Sequence, residues 1–200
     1  TYSYKYDQLN SCDIIIICLP TPLKKNTRPD LSAIEITLNK IKKYFKKGQL
    51  IILESTTYPG TTREKIGNKL NNFNIGEDIF LSYSPEREDP GSKIPYRKVT
   101  KVSSGYSKKC SLLSRSIYEK IVNTVVVANS LEEAEMTKLL ENIYRSVNIG
   151  LVNELKMVAD KMNIDINEVI EAASTKPFGF TPFYPGPGLG GHCIPIDPFY

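Results

Sequence analysis

The run Asp13-Ile14-Ile15-Ile16-Ile17-Cys18-Leu19 constrains the fold more than any other stretch of this 200-residue chain. Consecutive β-branched side chains disfavour a helix, and an unbroken apolar run marks a strand covered on both faces. Similar runs follow at Leu50 to Leu53, Ile79 to Tyr83, Val99 to Val102 and Val125 to Val127, with helix-compatible segments near 31–46, 61–72 and 107–121 between them. Strands alternating with helices predict βαβ units and a parallel, layered sheet. In such a sheet ligands bind at the carboxyl edge. The loops predicted there are Pro20-Thr21-Pro22, Ser55-Thr56-Thr57-Tyr58-Pro59-Gly60 and Ser84-Pro85-Glu86-Arg87-Glu88. Taken singly, each reads as ordinary turn chemistry ahead of ligand-facing hydroxyls and charges.

Near residue 129 the pattern changes. Ser130 and Glu133 form a capping box that opens a helix-compatible stretch to about Asn163, weakened only at Gly150. A second start follows, with Asp165 as cap, Glu168 three residues on and Ile164 as staple. The expected organisation is an α/β domain over 1–128 and a mainly helical domain, or spine, over 129–200.

Composition narrows the function. The net charge of +4 is spread in lysine pairs rather than one basic stripe, which argues against a nucleic-acid partner. No apolar run approaches the ~20 residues of a membrane span, and no signal peptide is visible. The four cysteines lack CxxC pairing, so a reducing cytoplasm is the expected compartment and a disulfide framework is not. Without an initiating Met, and ending just after its most motif-like stretch, the chain is expected to be a fragment of a longer protein.

Two groups of residues could carry chemistry. Lys138, Asn142 and Arg145 fall at i, i+4 and i+7, on one helical face, with Met136, Leu139, Leu140, Ile143 and Val147 supplying the apolar face. That face is either a solvated stripe or a site where lysine and amide hold an oxyanion and arginine grips an anion. Cys193 follows Pro185-Gly186-Pro187-Gly188-Leu189-Gly190-Gly191, a backbone free to approach a ligand, and Asp197 lies four residues on. It is either a small structural thiol or a nucleophile. His192, the single histidine, is adjacent to it and tends to point away, which disfavours hydrolase triads. His192, Cys193 and Asp197 lack a fourth ligand for zinc, so no metal is expected. No Gly-x-Gly-x-x-Gly turn follows a strand, so the residues alone demonstrate no dinucleotide.

Five motifs in order resemble the UDP-glucose/UDP-mannose dehydrogenase family. They are Cys18-Leu19-Pro20-Thr21-Pro22-Leu23, Leu53 to Thr62, Ser84 to Gly91, Glu135-Met136-Thr137-Lys138-Leu139-Leu140-Glu141-Asn142 and Gly190-Gly191-His192-Cys193. The version here looks most similar to the branch oxidising UDP-N-acetylhexosamines, particularly the UDP-N-acetylglucosamine 6-dehydrogenases, which supply polysaccharide precursors. The resemblance implies the later part of a Rossmann-like NAD domain followed by a central helical domain whose long helix makes a homodimer. It implies NAD as cofactor, a UDP-sugar as substrate, and four-electron oxidation of the C6 alcohol through a thiohemiacetal and thioester on Cys193. Lys138, Asn142 and Asp197 then match oxyanion- and water-holding positions, and Glu86 the acid–base glutamate. Pro20, Thr21 and Thr56 match the NAD site, Thr56 also orienting a water, while Arg87, Glu88, Arg145 and Gly190 match substrate contacts along with Lys138 and Asn142.

Two departures bear on the sugar. Glucose-specific members carry a second glutamate where this chain has Pro90, and the N-acetylmannosamine branch has a His and an Arg near the place of Lys176-Pro177-Phe178-Gly179-Phe180-Thr181. Both favour N-acetylglucosamine. The alternatives are the other two sugars, a two-electron β-hydroxyacid dehydrogenase, or an inactive dimerisation and binding fragment.

Overall fold

A computed structural model describes residues 2–89, 91–191 and 193–200. Pro90 and His192, both weighed above, lie outside them. The chain divides into two compact units, Thr1–Leu139 with Tyr200, and Leu140–Phe199.

The first unit is built on a five-stranded sheet in the order β1 (Ile14–Ile17), β2 (Leu50–Leu53), β3 (Phe80–Tyr83), β4 (Lys101–Gly105) and β5 (Val125–Val127). β1, β2 and β3 are parallel, with Ile14 opposite Leu50 and Leu50 opposite Phe80. β4 then runs antiparallel to β3 and parallel to β5, so the sheet is parallel except at that one junction. Helix α1 (Ser32–Ile41), extended by a 3-10 turn at Lys42–Tyr44, covers one face, and α2 (Lys108–Tyr118) covers the other.

β2 shows why the layers form. Its four residues are all buried, Ile51 and Leu53 meeting Ile34, Leu38 and Ile41 of α1, and Leu50 and Ile52 meeting Cys110 and Tyr118 of α2. Period-two alternation sends successive side chains to opposite layers, so a strand covered twice must be apolar throughout. β1 departs from that expectation: Ile15 and Ile17 are buried, while Ile14 and Ile16 remain 40% and 42% exposed. On the α2 side serines replace bulk, with Ser103 and Ser114 hydroxyls 2.7 Å apart and the Ser84 hydroxyl donating to the Val102 carbonyl at 2.7 Å. Gly105 completes the close approach, since a Cβ there would stand 2.2 Å from the Ser111 nitrogen. The segment expected as helix near 61–72 is instead a π-helical turn at Thr62–Ile66 and a 3-10 turn at Gly67–Lys69. Gly67, Asn68 and Asn71 are weak helix formers, and their conformation follows the tertiary contacts around them.

Helix α3 (Leu131–Lys161) starts in the first unit and continues into the second. The Ser130 half of its capping box forms as the sequence predicts, the Glu133 N–H donating to the Ser130 hydroxyl at 3.1 Å, while the Glu133 carboxylate reaches one residue further back and accepts from the Asn129 N–H at 2.9 Å. Asn163 ends it in the left-handed region (φ 55°), where the Ile164 N–H reaches back to the Ala159 carbonyl at 3.0 Å. α4 (Ile166–Ser174) follows, its Asn167 N–H donating to the Asp165 carboxylate at 2.8 Å. Val152 and Ala159 of α3 pack against Ile166 and Ile170 of α4 to form the second unit's core. Among the described residues no helix is long and apolar enough to cross a membrane.

Candidate active site

In the first unit, the predicted ligand-facing loops do leave the carboxyl ends of adjacent strands. Pro20 and Thr21 follow β1, Thr56 follows β2, and Glu86, Arg87 and Glu88 follow β3. The Leu19 N–H donates to the Ser55 hydroxyl at 2.8 Å, tying the first loop to the second and leaving Thr21 and Thr56 half-buried. These hydroxyls at neighbouring strand ends fit the rim of a dinucleotide crevice. The glycine turn that would cradle a pyrophosphate is not in this sequence.

The Thr56 loop has an anchor that the sequence does not reveal. Glu135, on the first turns of α3 and fully buried, accepts from the Gly60 N–H at 2.6 Å, the Thr62 N–H at 2.8 Å and the Thr62 hydroxyl at 2.6 Å. Burial raises the Glu135 pKa above the ordinary carboxylate value, and those three donors offset only part of the rise. Lys138 lies one turn further along α3 and is half-buried.

Glu86 is tied down by a second unforeseen group. Its Oε1 accepts from its own loop, the Arg87 N–H at 2.8 Å and the Glu88 N–H at 2.7 Å. Its Oε2 accepts from the Lys101 ammonium at 2.9 Å and from the Tyr96 hydroxyl at 3.3 Å. Lys101, on β4, also stands 3.1 Å from Glu54, which in turn accepts from the Tyr118 hydroxyl at 2.6 Å and the Cys18 thiol at 3.3 Å. Burial pushes the Glu86 pKa up, but the Lys101 ammonium and the two backbone N–H groups overcome it and hold the carboxyl below its ordinary value. Burial likewise works against the Lys101 charge, and Glu54 and Glu86 outweigh it, raising that pKa. Cys18 is driven up to about 11, chiefly by burial and then by the Glu54 carboxylate. A lysine within the predicted strand Val99 to Val102 was the available signal, because a buried ammonium requires anionic partners. Arg87 turns its guanidinium onto the Thr100 carbonyl, so it braces the loop, while Glu88 is exposed.

In the second unit, the predicted residues again come together. Asn142 is fully buried, its side-chain amide donates to the buried Asp197 carboxylate, and its carbonyl accepts from Arg145 at 2.5 Å. The Asp197 N–H closes a helical turn on the Cys193 carbonyl at 2.9 Å, so the exposed thiol sits one turn from that carboxylate. Gly190 and Gly191 approach this turn with φ of +72° and +71°, a left-handed backbone that explains both glycines. Asn153, missed in the sequence, clips the preceding loop: its side chain accepts from the Gly186 N–H at 2.8 Å and donates to the Gly188 carbonyl at 3.3 Å. The apolar face assigned to α3 is not uniform. Leu139 is buried, but Met136, Leu140 and Val147 are exposed and belong to a stripe continued by Tyr144, Leu151, Leu155, Val158 and Met162.

Comparison with known proteins gives the family. Residues 1–122 match the NAD-binding domain of the UDP-glucose/GDP-mannose dehydrogenase family, and residues 132–200 match its central domain. The chain belongs to this family. Over 205 residues it is 38% identical to the UDP-N-acetyl-D-glucosamine 6-dehydrogenase of Pseudomonas aeruginosa, covering 100% of this chain and 48% of that protein. It is also 38% identical to the UDP-N-acetyl-D-mannosamine dehydrogenase of Methanocaldococcus jannaschii, covering 94% of this chain and 44% of the relative. The solved UDP-D-ManNAc dehydrogenase of Pyrococcus horikoshii superposes with a TM-score of 0.90 at 33% identity, over 98% of this chain and 47% of that one. As a dehydrogenase-family chain it thus spans about half the length of the relatives it matches.

Proposed function

We propose that the protein carrying this chain is an NAD-dependent nucleotide-sugar 6-dehydrogenase that converts the C6 alcohol of a UDP-N-acetylhexosamine, UDP-N-acetylglucosamine first among them, to the uronic acid. The observation that carries this reading is the exposed Cys193 thiol one turn from Asp197, whose carboxylate orients a fully buried Asn142. Oxidising a primary alcohol to an acid takes two hydride transfers, and an aldehyde yields the second only after a nucleophile has added to its carbonyl. The Cys193 thiolate forms a C–S bond to the aldehyde carbon, giving a thiohemiacetal. Loss of the second hydride leaves a thioester, and water forms the new C–O bond as the thiolate departs. Bound nicotinamide supplies the hydride acceptor, one electron pair for each of the two steps.

The residues divide this work. Pro20, Thr21 and Thr56 line the cofactor rim, with Thr56 also orienting water. Lys138 and Asn142 stabilise the oxyanions at the reacting carbon, and Asp197 keeps the Asn142 amide from rotating. Glu86 takes a proton from the attacking water. Arg87, Glu88, Arg145 and Gly190 contact the substrate. The preference for N-acetylglucosamine rests on Pro90 and on the Lys176 to Thr181 segment. We place the domain boundary at 128/129, the enzyme in the cytoplasm and its homodimer contact along the exposed stripe of α3. The test is uronic acid formation by the full-length protein from a panel of UDP-sugars, expected at two NADH per sugar and lost in Cys193→Ser. One NADH per sugar, or undiminished acid formation by Cys193→Ser, would overturn the covalent route.

A further inference from the structure

The Lys101 cluster has a charge balance that the proposed reaction can use. One ammonium faces two carboxylates, and the two carboxylates are unequal. Glu54 is 14% exposed and additionally accepts from Tyr118 and Cys18, whereas Glu86 is 42% exposed and lies in the loop after β3. Lys101 itself is 3% exposed. A buried ammonium stripped of its anion is costly, so a lysine with a single carboxylate partner resists protonation of that partner. Here the protonation of Glu86 still leaves Lys101 paired to Glu54. The cluster passes from a net charge of −1 to zero without stranding a charge.

We propose that Lys101 is the positioning residue for Glu86: it holds that carboxylate in place as a proton acceptor and falls back on Glu54 when Glu86 takes up a proton. This rests on the dehydrogenase reading above, in which Glu86 takes its proton from water. The O–H bond of the water breaks, the proton goes to Glu86, and the oxygen's electron pair makes the new bond to the thioester carbon. Among the described residues, the titratable and charged groups around Glu86 and its Lys101 partner are Tyr96 in the turn before β4, Cys18 after β1, Arg87 and Glu88 in the Glu86 loop, and, on the Lys101 side, Glu54 after β2 and Tyr118 on α2. Lys101 is the buried cation touching the carboxylate; Glu54 is the anion that competes for it.

The two partners therefore push Glu86 in opposite directions, and variants separate them. In full-length protein labelled with 13C at glutamate carboxyls, with Glu86 assigned by comparison with Glu86→Gln, Lys101→Met moves the Glu86 titration to higher pH. The acid limb of kcat/KM moves with it, and kcat falls about 10-fold or more. Lys101→Arg restores both. Glu54→Gln moves the titration to lower pH, since it removes a like charge and leaves Lys101 wholly to Glu86. A purely structural lysine gives lost stability in these variants with no movement of the titration. An unmoved Glu86 titration in folded Lys101→Met, or an upward one in Glu54→Gln, overturns the proposal, and Glu54→Gln decides alone if Lys101→Met does not fold. Wild-type protein that makes no acid from any UDP-sugar overturns the dehydrogenase reading, while the carboxyl titration still decides for or against the role of Lys101.

Discussion

Replacing Glu135 by alanine tests whether the Thr56 loop is held by α3. The change removes the acceptor of three donors, the Gly60 and Thr62 N–H groups and the Thr62 hydroxyl. The hydroxyl can rotate to another acceptor; the two N–H groups are fixed by the backbone. Each buried donor left unpaired costs about 1–3 kcal/mol, so the two give about 2–6 kcal/mol. Against this stands the relief of no longer burying a carboxylate, whose raised pKa shows that its donors do not fully offset burial. The net expectation is a loss of about 3 kcal/mol for Glu135→Ala and about 1 kcal/mol for Glu135→Gln, which keeps one oxygen and the shape. Urea unfolding followed by tyrosine fluorescence suits a chain with 12 tyrosines and no tryptophan. The pH dependence adds a second measurement. A carboxyl whose folded pKa is raised contributes stability fully below its unfolded pKa and loses it as pH rises through the folded value. Wild type should therefore lose part of its margin over Glu135→Gln between acidic and neutral pH. A cost below about 1 kcal/mol for Glu135→Ala, or a margin that widens with pH, would refute the anchoring role.

Gly105→Ala should cost about 3 kcal/mol or more in the same unfolding assay, because its Cβ would meet the Ser111 nitrogen at 2.2 Å, a backbone contact with no rotamer to escape into. A loss under about 1 kcal/mol would mean that α2 does not approach β4 this closely. Leu151→Asp, in the exposed stripe of α3, should convert the proposed dimer to monomer in sedimentation equilibrium and leave the helical circular dichroism unchanged. An unaltered molecular mass would remove α3 from the interface.

The elements legible in the sequence are those whose causes are local. The apolar runs at Ile14–Ile17 and Leu50–Leu53, the Ser130 cap and the Asp165 cap each form where the residues place them, since a few neighbours decide them. Asn142, Asp197 and Cys193 were nameable because helical spacing and a glycine run mark them. What stayed hidden depends on distant partners. Glu135 meets residues 73 and 75 positions away, and Lys101 is interpretable only once β2, β3 and β4 lie side by side. The antiparallel turn of β4 has no signature in its own residues, and the half-open face of β1 is invisible in a run of four identical isoleucines.

The Asn153 clip on Gly186 and Gly188 bears on how the thiol is presented. The chain between α4 and Cys193 is rich in glycine, and an unfastened strand of that kind spreads its end over a volume that grows with its length. A buckle at Gly186–Gly188 sets a fixed point a few residues before Cys193, and the turn onto Asp197 fastens the other side. A shorter tether raises the effective concentration of its end group at one place. Asn153 thus acts on where the Cys193 thiol is held rather than on its reactivity. Glycines supply the strap's bends; one amide on the neighbouring helix sets its length.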